Sequence, residues 1–289
     1  MLLPVLIGME RLGNNLFLVQ IFKPLFGGVF LFPYDLYNKS MVIIYICIFF
    51  LGASLASFLN ATTYRVDNKY KYPDIIKSGS HCENCKHMLT WWELFPILGY
   101  IFIKGKCTSC KNKINIYYPI SEFVLGSIFL FLYINNIPWY YWIITLLLFV
   151  FSYHDIKYKA IPKDMVHIFL GICILFFLFF SLNIQNIYTP LVVSVVLLAM
   201  NIVKKSFGMG DILILLGLGI LLYYEKYLVM FWIGIILALL YSLIWIAIKK
   251  IDMKKAKVPM IPFFTLSFVI SVVYGEEIFK FLLKYLSIW

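Results

Sequence analysis

Long runs of apolar residues constrain the fold of this chain more than any other feature of its sequence. A helix needs about 20 mainly apolar residues to cross the hydrocarbon core of a bilayer. Eight segments approach that length: 41–60, 119–134, 138–154, 164–182, 187–203, 211–224, 227–248 and 260–275. The sixth and eighth runs are short, and a buried or interfacial helix is the alternative for each. The sequence therefore predicts an all-α polytopic membrane protein with about eight transmembrane helices.

Composition excludes the main soluble classes of protein. Hydrophobic residues make up 63% of the 289 residues and charged residues only 13%, which leaves too little polar surface to cover a globule in water. Six cysteines are too few for a small disulfide scaffold of this length. A net charge of +11 would suggest a nucleic-acid partner in a soluble protein, but in an apolar chain it favours basic loops at a bilayer surface. We therefore expect the lipid bilayer, and no nucleic acid, as a partner.

The basic residues indicate which loops face the cytoplasm, because Lys and Arg accumulate in short cytoplasmic loops of membrane proteins. Here 19 of the 25 basic residues lie in four connections, at 61–118, 156–163, 204–205 and 249–257. The connections between them carry either no charge or one cancelling pair. Basic and bare loops thus alternate, which supports the eight spans and places both ends of the eight-helix unit outside.

The predicted spans divide the chain into four parts. Residues 1–40 are an N-terminal extension of unknown role, since prolines and a Gly-Gly pair interrupt apolar runs that are too short to span. This extension resembles neither a signal peptide nor a ninth helix. Residues 41–60 are the first transmembrane helix, residues 61–118 form a polar cytoplasmic domain, and residues 119–289 hold the other helices.

Four cysteines in the polar domain have the spacing of a zinc site. Two C-x-x-C pairs are separated by 21 residues, and tight turns of this kind present four thiolates to one tetrahedral ion. The predicted ligands are Cys82, Cys85, Cys107 and Cys110. Disulfides are the alternative, but thiols stay reduced in a cytoplasmic loop, so we expect structural zinc. His81 and His87 flank the first pair as competing ligands, whereas Cys47 and Cys173 lie in apolar runs as small core residues.

Two carboxylates abut predicted spans in a way that packing does not readily explain. Asp155 ends the third span and Asp211 begins the sixth, so the topology places both at the same cytoplasmic depth. Two close carboxylates beside an apolar medium share a proton, and such a pair can perform aspartic-protease chemistry. The alternatives are an ion pair of Asp155 with Lys157 or Lys159, and for Asp211 a helix start favoured by the helix dipole.

Two glycines precede the second carboxylate. Gly208 and Gly210 would allow a substrate backbone to approach closely and would free the chain to turn at a helix start. Asp164 and Glu122 also lie at cytoplasmic span ends, where we expect helix caps or ion-pair partners.

Taken together, these residues resemble the bacterial type IV prepilin peptidases, which are membrane aspartic proteases of the G-x-G-D class. The resemblance covers about residues 51–215. It is carried by Gly52-Ala53-Ser54-Leu55-Ala56-Ser57-Phe58-Leu59-Asn60 with Tyr64-Arg65, Ser80-His81-Cys82, Trp91-Trp92-Glu93-Leu94-Phe95-Pro96-Ile97, Gly105-Lys106-Cys107, Tyr118-Pro119-Ile120-Ser121-Glu122, Asp155 with Ile161-Pro162, and Gly208 to Asp211.

The resemblance implies that Asp155 and Asp211 are the catalytic pair and that residues 119–289 are a transmembrane aspartic peptidase domain. The implied substrate is a prepilin or pseudopilin whose short basic leader is cut after a glycine, on the cytoplasmic side of the bacterial plasma membrane. Many members also methylate the new N-terminal amine with S-adenosylmethionine, for which no residue of this chain can be assigned. The oligomeric state is left open.

Three departures from the family pattern affect local hydrogen bonds rather than the carboxylate pair: Gly99, Tyr117 and Lys163. Acidic residues such as Glu83, Glu93 or Glu122 are the candidates for receiving a basic leader.

Two other classes of function fit part of the pattern. One is a transporter or channel in which the two carboxylates bind or relay a cation. The other is a non-catalytic membrane assembly protein with a zinc-stabilised cytosolic loop. Both carboxylates lie at one face and no acidic residue marks a path across the rest of the bilayer, which counts against the transporter.

Overall fold

The structure is a computed structural model that describes residues 9–11, 16–19, 30–180, 185–203, 207–249 and 258–286. Helices dominate it. They are α1 (Tyr34–Asp67), α2 (Asp74–Lys77), α3 (Leu98–Phe102), α4 (Tyr117–Ile134), α5 (Trp139–Tyr158), α6 (Lys163–Phe180), α7 (Gln185–Val203), α8 (Met209–Leu221), α9 (Tyr224–Lys249) and α10 (Ile261–Leu286).

Three short strands precede the helices, within the N-terminal extension to which the sequence assigned no element. They are β1 (Met9–Arg11), β2 (Leu16–Val19) and β3 (Phe30–Pro33), and they form an antiparallel sheet in the order β1-β2-β3. The register pairs Met9 with Val19 and Leu16 with Pro33. The helix α1 begins at Tyr34 and so extends the predicted first span at both ends.

Each of the eight predicted spans coincides with one of these helices. Four helices of the described chain are long and apolar enough to cross a membrane: Met41–Asp67, Tyr117–Ile134, Lys163–Phe180 and Tyr224–Ile248. The apolar helices in α7 and α8 are shorter, α5 opens on aromatic residues with polar groups, and α10 carries four charged residues. The helical, membrane-spanning class is confirmed by these four helices, and the count of eight stays a prediction.

Small residues bring two of the apolar helices close together in the first of the two compact units, which comprises residues 1–60 and 77–130. A Cβ added at Gly52 of α1 would lie 2.8 Å from the Leu125 carbonyl oxygen of α4. In the same contact, a Cβ added at Gly126 of α4 would lie 2.8 Å from the Phe49 carbonyl oxygen. Helices in lipid associate by such close backbone packing, because apolar side chains gain little by leaving lipid for protein.

The second unit comprises residues 61–76 and 131–289 and contains α5 to α10. Its core is made of fully buried side chains from α5, α6, α8 and α10: Ile144, Leu148, Phe169, Ile214, Leu215, Leu218, Phe264 and Phe268. Helix α8 packs against α6 and α7, and α10 packs against α5 and α9. Much of the short helix α8 is buried, which agrees with the alternative of a buried helix for the sixth apolar run.

We expect the replacement of Gly126 by Ala to destabilise the protein by about 1–3 kcal/mol, because the added methyl group would overlap the backbone of α1. The thermal unfolding midpoint of the purified protein in detergent measures this loss. Gly171→Ala is the matched control, since a Cβ at Gly171 in α6 meets no atom within 4 Å. Equal midpoints for the two variants would contradict the close contact.

Candidate active site and metal centre

Asp155 lies in the last turn of α5 and is only 7% exposed. The helix ends just after it, where Lys159 adopts the left-handed conformation and donates its backbone N–H to the Asp155 carbonyl oxygen over 3.0 Å. One carboxylate oxygen of Asp155, Oδ2, accepts a buried hydrogen bond of 2.9 Å from the backbone N–H of Ile261. Because Ile261 begins α10, its N–H is among those without a partner inside the helix, so it is free to donate to the carboxylate.

A second buried hydrogen bond joins α5 and α10 one helical turn away. The hydroxyl groups of Ser152 and Thr265 lie 2.9 Å apart, so one donates to the other, and the accepting hydroxyl donates in turn to a backbone carbonyl of its own helix. The two links are one turn apart on both helices, so they fix the rotation and the register of α5 against α10. This contact holds the Asp155 carboxylate in one place.

Asp211 lies in the first turn of α8 and is partly buried. Its Oδ2 accepts a hydrogen bond of 3.3 Å from the backbone N–H of Gly208, so the carboxylate caps the start of its own helix. Gly208 has φ −67° and ψ 142°, which any residue adopts, and the turn therefore does not need the conformational freedom of glycine. A Cβ added at Gly208 would instead lie 2.9 Å from Asp211 Oδ2, which is too close. A Cβ added at Gly210 would make only an ordinary van der Waals contact of 3.7 Å with Val166.

The segment before Asp211 is fastened to the end of α7. Asn201 accepts a hydrogen bond from the Phe207 backbone N–H and donates one to the Phe207 carbonyl, both over 2.9 Å. The Asn201 side-chain amide thus bonds both the backbone N–H and the backbone carbonyl of Phe207, as a neighbouring β-strand would, and holds Phe207 next to α7. Asn201 lies at the end of an apolar run, and no other feature of the sequence indicates this role.

Both predicted carboxylates lie in the second unit. Asp155 and Asp211 lie close enough to interact electrostatically, although they are far apart in the sequence. Of the two lysines predicted as alternative ion-pair partners of Asp155, Lys157 instead places its Nζ 2.8 Å from Asp67 Oδ2, whereas Lys159 interacts electrostatically with Asp155. Asp164 is exposed and lies at the start of α6. Two carboxylates near each other can divide the roles of proton acceptor and proton donor.

The four cysteines predicted as ligands form one cluster in the first unit. Their Sγ atoms all lie within 4.8 Å of one another, and all four are free thiols. The Cys82–Cys110 and Cys85–Cys107 sulfur atoms are 3.9 Å and 3.8 Å apart. Four sulfurs at about 2.3 Å from a zinc ion in a tetrahedron would be about 3.8 Å apart, which both of these distances match.

The two C-x-x-C segments have the same backbone structure. In each, the N–H of the first cysteine bonds a carbonyl five residues on, and the residue four positions on donates back to that cysteine, with φ of 59° at Lys86 and 57° at Lys111. An isolated bridge closes each turn, between His81 and Met88 and between Lys106 and Lys113. Among the described residues, the candidate metal ligands are the four cysteines, and neither flanking histidine belongs to the group.

The thiols differ in how readily they ionise. The backbone N–H of Asn112 and the side-chain amide of Asn84 lower the pKa of Cys110 to about 6. The backbone N–H of His87 lowers the pKa of Cys85, but desolvation and the three neighbouring thiols outweigh it and raise that pKa to about 11. Four thiolates at this spacing repel one another, so they can be charged together only around a cation.

Glu93 joins the two cysteine-bearing segments, a role that the sequence did not reveal. Its carboxylate accepts hydrogen bonds from the Thr90 N–H and hydroxyl, both over 2.8 Å, and from the Thr108 hydroxyl over 2.6 Å. Burial would raise the pKa of Glu93, but these hydrogen bonds outweigh it and hold that pKa below its ordinary value. Glu93 is therefore structural, and so is buried Glu122, which accepts the Ile97 N–H over 2.8 Å. Neither is placed to receive a basic peptide.

Comparison with protein families agrees with this arrangement of helices, carboxylates and thiols. The bacterial peptidase A24 N-terminal domain matches residues 50–136, and the type IV leader peptidase family matches residues 142–243. The first match contains all four clustered cysteines and the second contains both carboxylates. The fold and site define a helical membrane protein with paired carboxylates and a four-thiol cluster. The chain belongs to the type IV leader peptidase family, and the resemblance to prepilin peptidases is confirmed.

Several relatives are named prepilin leader peptidase/N-methyltransferase. The one from Bacillus subtilis (strain 168) is 26% identical over 246 residues, which cover 82% of this chain and 97% of the relative. Those from Myxococcus xanthus (strain DK1622) and Neisseria gonorrhoeae are each 28% identical, and the chain spans 36% and 49% of their respective lengths. No solved structure is significantly similar to the chain.

We expect the purified protein to contain about one zinc ion per chain, because its four thiols match one tetrahedral site. Replacing both Cys82 and Cys107 by Ser should abolish metal binding and lower the thermal unfolding midpoint, since the small domain gains stability from the metal. Metal content by mass spectrometry and the unfolding curve measure these effects. Cys47→Ser, which changes a cysteine outside the cluster, should retain the metal. Metal-free wild-type protein with disulfides among the four cysteines would refute the site.

Glu93→Gln should destabilise the protein by about 1–3 kcal/mol at neutral pH, because it weakens a charge-assisted network that is buried. The pKa of Glu93 is lowered in the folded state, so its contribution is complete above the ordinary carboxyl pKa of 4.5. That contribution disappears as the pH falls through the lowered folded-state value. Unfolding midpoints of wild type and variant, measured from neutral to acidic pH, should therefore converge at low pH. The exposed carboxylate substitution Glu277→Gln should leave the midpoint unchanged, and an equal effect there would show that the network is not stabilising.

Proposed function

We propose that this protein is an aspartic endopeptidase that removes the basic leader of type IV prepilins or pseudopilins, cutting after a glycine. The observation that carries the proposal is the pair of carboxylates from α5 and α8, Asp155 and Asp211, which interact within a chain of the leader peptidase family. The bacterial plasma membrane is the proposed location, with the active site facing the cytoplasm. The basic loops that flank both helices support this orientation.

The proposed reaction is hydrolysis of one peptide bond by a water molecule. One carboxylate takes a proton from the water as its oxygen attacks the scissile carbonyl carbon, and the other carboxyl group donates a proton to the carbonyl oxygen. Collapse of the tetrahedral intermediate breaks the C–N bond. The departing nitrogen takes the proton that the first carboxylate gained from water and leaves as an amine, and the second carboxylate recovers its proton from a hydroxyl group of the intermediate. The hydrogen bond from Ile261 and the Ser152–Thr265 link hold the Asp155 carboxylate in place while the protons move.

The chemistry of a prepilin suits this site. A basic leader stays in the cytoplasm while the apolar helix of the substrate lies in the bilayer, so the scissile bond lies near the depth of the two carboxylates. Gly208 is exposed and has no side chain, and it directly precedes the helix that carries Asp211. An extended peptide can therefore approach the backbone at this point without a clash.

We further propose that the protein methylates the new N-terminal amine with S-adenosylmethionine. The relatives named prepilin leader peptidase/N-methyltransferase support this activity, including the Bacillus subtilis protein that the chain covers almost entirely. No residue of this chain is assigned to the cofactor. The zinc ion would be held by Cys82, Cys85, Cys107 and Cys110 and would supply structural stability.

Asp155→Asn and Asp211→Asn should each reduce cleavage of a co-expressed prepilin by at least about a thousandfold, because each removes one half of the proton-transferring pair. Mass spectrometry of the prepilin after incubation with purified protein and S-adenosylmethionine reads the cut position and any added methyl group together. Asp164→Asn is the matched control, since this exposed carboxylate also lies at the end of a predicted span, and it should cut at the wild-type rate.

If either active-site variant cuts at a rate comparable to wild type, the proposed pair is wrong. Cation transport that depends on the two carboxylates, in a protein that cuts no prepilin, would favour the transporter interpretation. The absence of both cutting and transport in a folded, zinc-containing protein would favour an assembly role.

A further inference from the structure

An apolar segment of the cysteine-bearing domain is exposed in the structure. It runs from 91 to 103, between the two cysteine pairs, and contains Trp91 at 81% exposure and Phe102 at 64% exposure. Leu94, Phe95 and Ile101 are exposed as well. Its one charged side chain, Glu93, is only 1% exposed and is enclosed by hydrogen bonds. A continuous apolar surface of this kind indicates an interaction site.

This segment packs against the first apolar helix, within one compact unit of the chain. The ring centroids of Phe95 and Phe50 lie 5.2 Å apart. The side chains of the segment and of α1 also line a pocket of about 460 Å³, formed by Cys47, Phe50, Leu51, Ser54, Trp91, Leu94, Phe95 and Pro96.

The depth of Phe50 in a bilayer follows from the length of its helix. The apolar helix Met41–Asp67 has 27 residues, so it is about 40 Å long at 1.5 Å per residue. The hydrocarbon core is about 30 Å thick, and Phe50 lies about 14 Å from the Met41 end. Wherever the core is placed along this helix, Phe50 lies inside it. The ring of Phe95, which contacts Phe50, therefore lies at hydrocarbon depth too.

The backbone of the segment is suited to an apolar environment, where an unpaired N–H group is costly. The N–H groups of Gly99 and Ile101 bond carbonyls of the same segment at 2.7 and 3.1 Å, and that of Leu94 bonds the carbonyl of Thr90, just before the segment, at 3.1 Å. Ile97 has φ 64°, a conformation that β-branched residues rarely adopt, and its N–H is taken up by the Glu122 carboxylate of α4. Helix α4 is itself apolar enough to span, so the segment is anchored to two such helices.

We propose that residues 94–103 of this segment enter the hydrocarbon core of the bilayer as a re-entrant segment, with lipid acyl chains covering its exposed side chains, while hydrogen bonds with Thr90 and Thr108 keep the Glu93 carboxylate in the cysteine-bearing domain. The charge that follows it fits the same partner. Lys104 and Lys106 are exposed directly after the segment, where their ammonium groups can reach lipid phosphates at the edge of the core. The segment between the cysteine pairs is thus embedded in lipid, and the polar domain is not wholly cytosolic. This inference does not depend on the proposed peptidase activity.

Photo-crosslinking to lipid tests the inference in the full-length protein. Benzoylphenylalanine is placed at Phe102, at Leu94 or at Ser109, one position per protein, and each protein is reconstituted in vesicles of phosphatidylethanolamine and phosphatidylglycerol. Ser109 is the control, because it is exposed between the cysteines of the second pair. After irradiation, intact-mass spectrometry counts phospholipid adducts on each protein, and size-exclusion chromatography confirms that each is folded before reconstitution.

We expect several-fold more phospholipid adduct at Phe102 and Leu94 than at Ser109. Adduct at Phe102 and Leu94 no higher than at Ser109 would overturn the inference. Crosslinking of these two positions to a second copy of the chain in place of lipid would overturn it as well. Two independent positions are used so that poor folding of one labelled protein does not decide the outcome.

Discussion

A polar group taken out of water without a partner costs several kcal/mol, and this constraint explains how the buried polar side chains between α5 and α10 are arranged. Asp155 is buried at the end of an apolar helix and is paired with the N–H of Ile261, which begins α10. One turn away, Ser152 and Thr265 satisfy each other. Because these bonds join α5 to α10, satisfying the polar groups also fixes the helices that carry them. The site is consequently built from the same interactions that hold the fold.

The cysteine-bearing part of the chain is small and has little apolar core of its own, so it needs another source of stability. Its two turns repeat one backbone structure and bring four thiols to within 4.8 Å. Such crowding of thiolates is favourable only if a cation balances the charge, so a metal held by the four thiols would stabilise this part of the chain as apolar side chains stabilise a larger domain. Glu93 ties the two turns together through Thr90 and Thr108, which orders the site independently of the ligands.

Much of this could be predicted from the sequence, because it depends on short-range patterns. Apolar runs located the helices, and the spacing of the cysteines located the cluster. Alternation of basic and bare loops predicts that Asp155 and Asp211 lie at one depth, and both lie in the second unit of the structure. The prediction that Gly208 would supply backbone freedom was not what the structure shows, since its φ of −67° is ordinary and its lack of a Cβ instead leaves room for the Asp211 carboxylate.

The sequence by itself determined the membrane class, the four thiols and the two candidate carboxylates, because periodicity, spacing and charge are local properties of the chain. Only the tertiary structure decided which groups meet. Lys157 pairs with Asp67 rather than with Asp155, and a backbone N–H rather than a side chain bonds the Asp155 carboxylate. It also decided that residues 91–103 lie against an apolar helix. A backbone N–H has no sequence signature, and contacts between residues far apart in the chain depend on how the helices pack, so neither could be read from the pattern of residues.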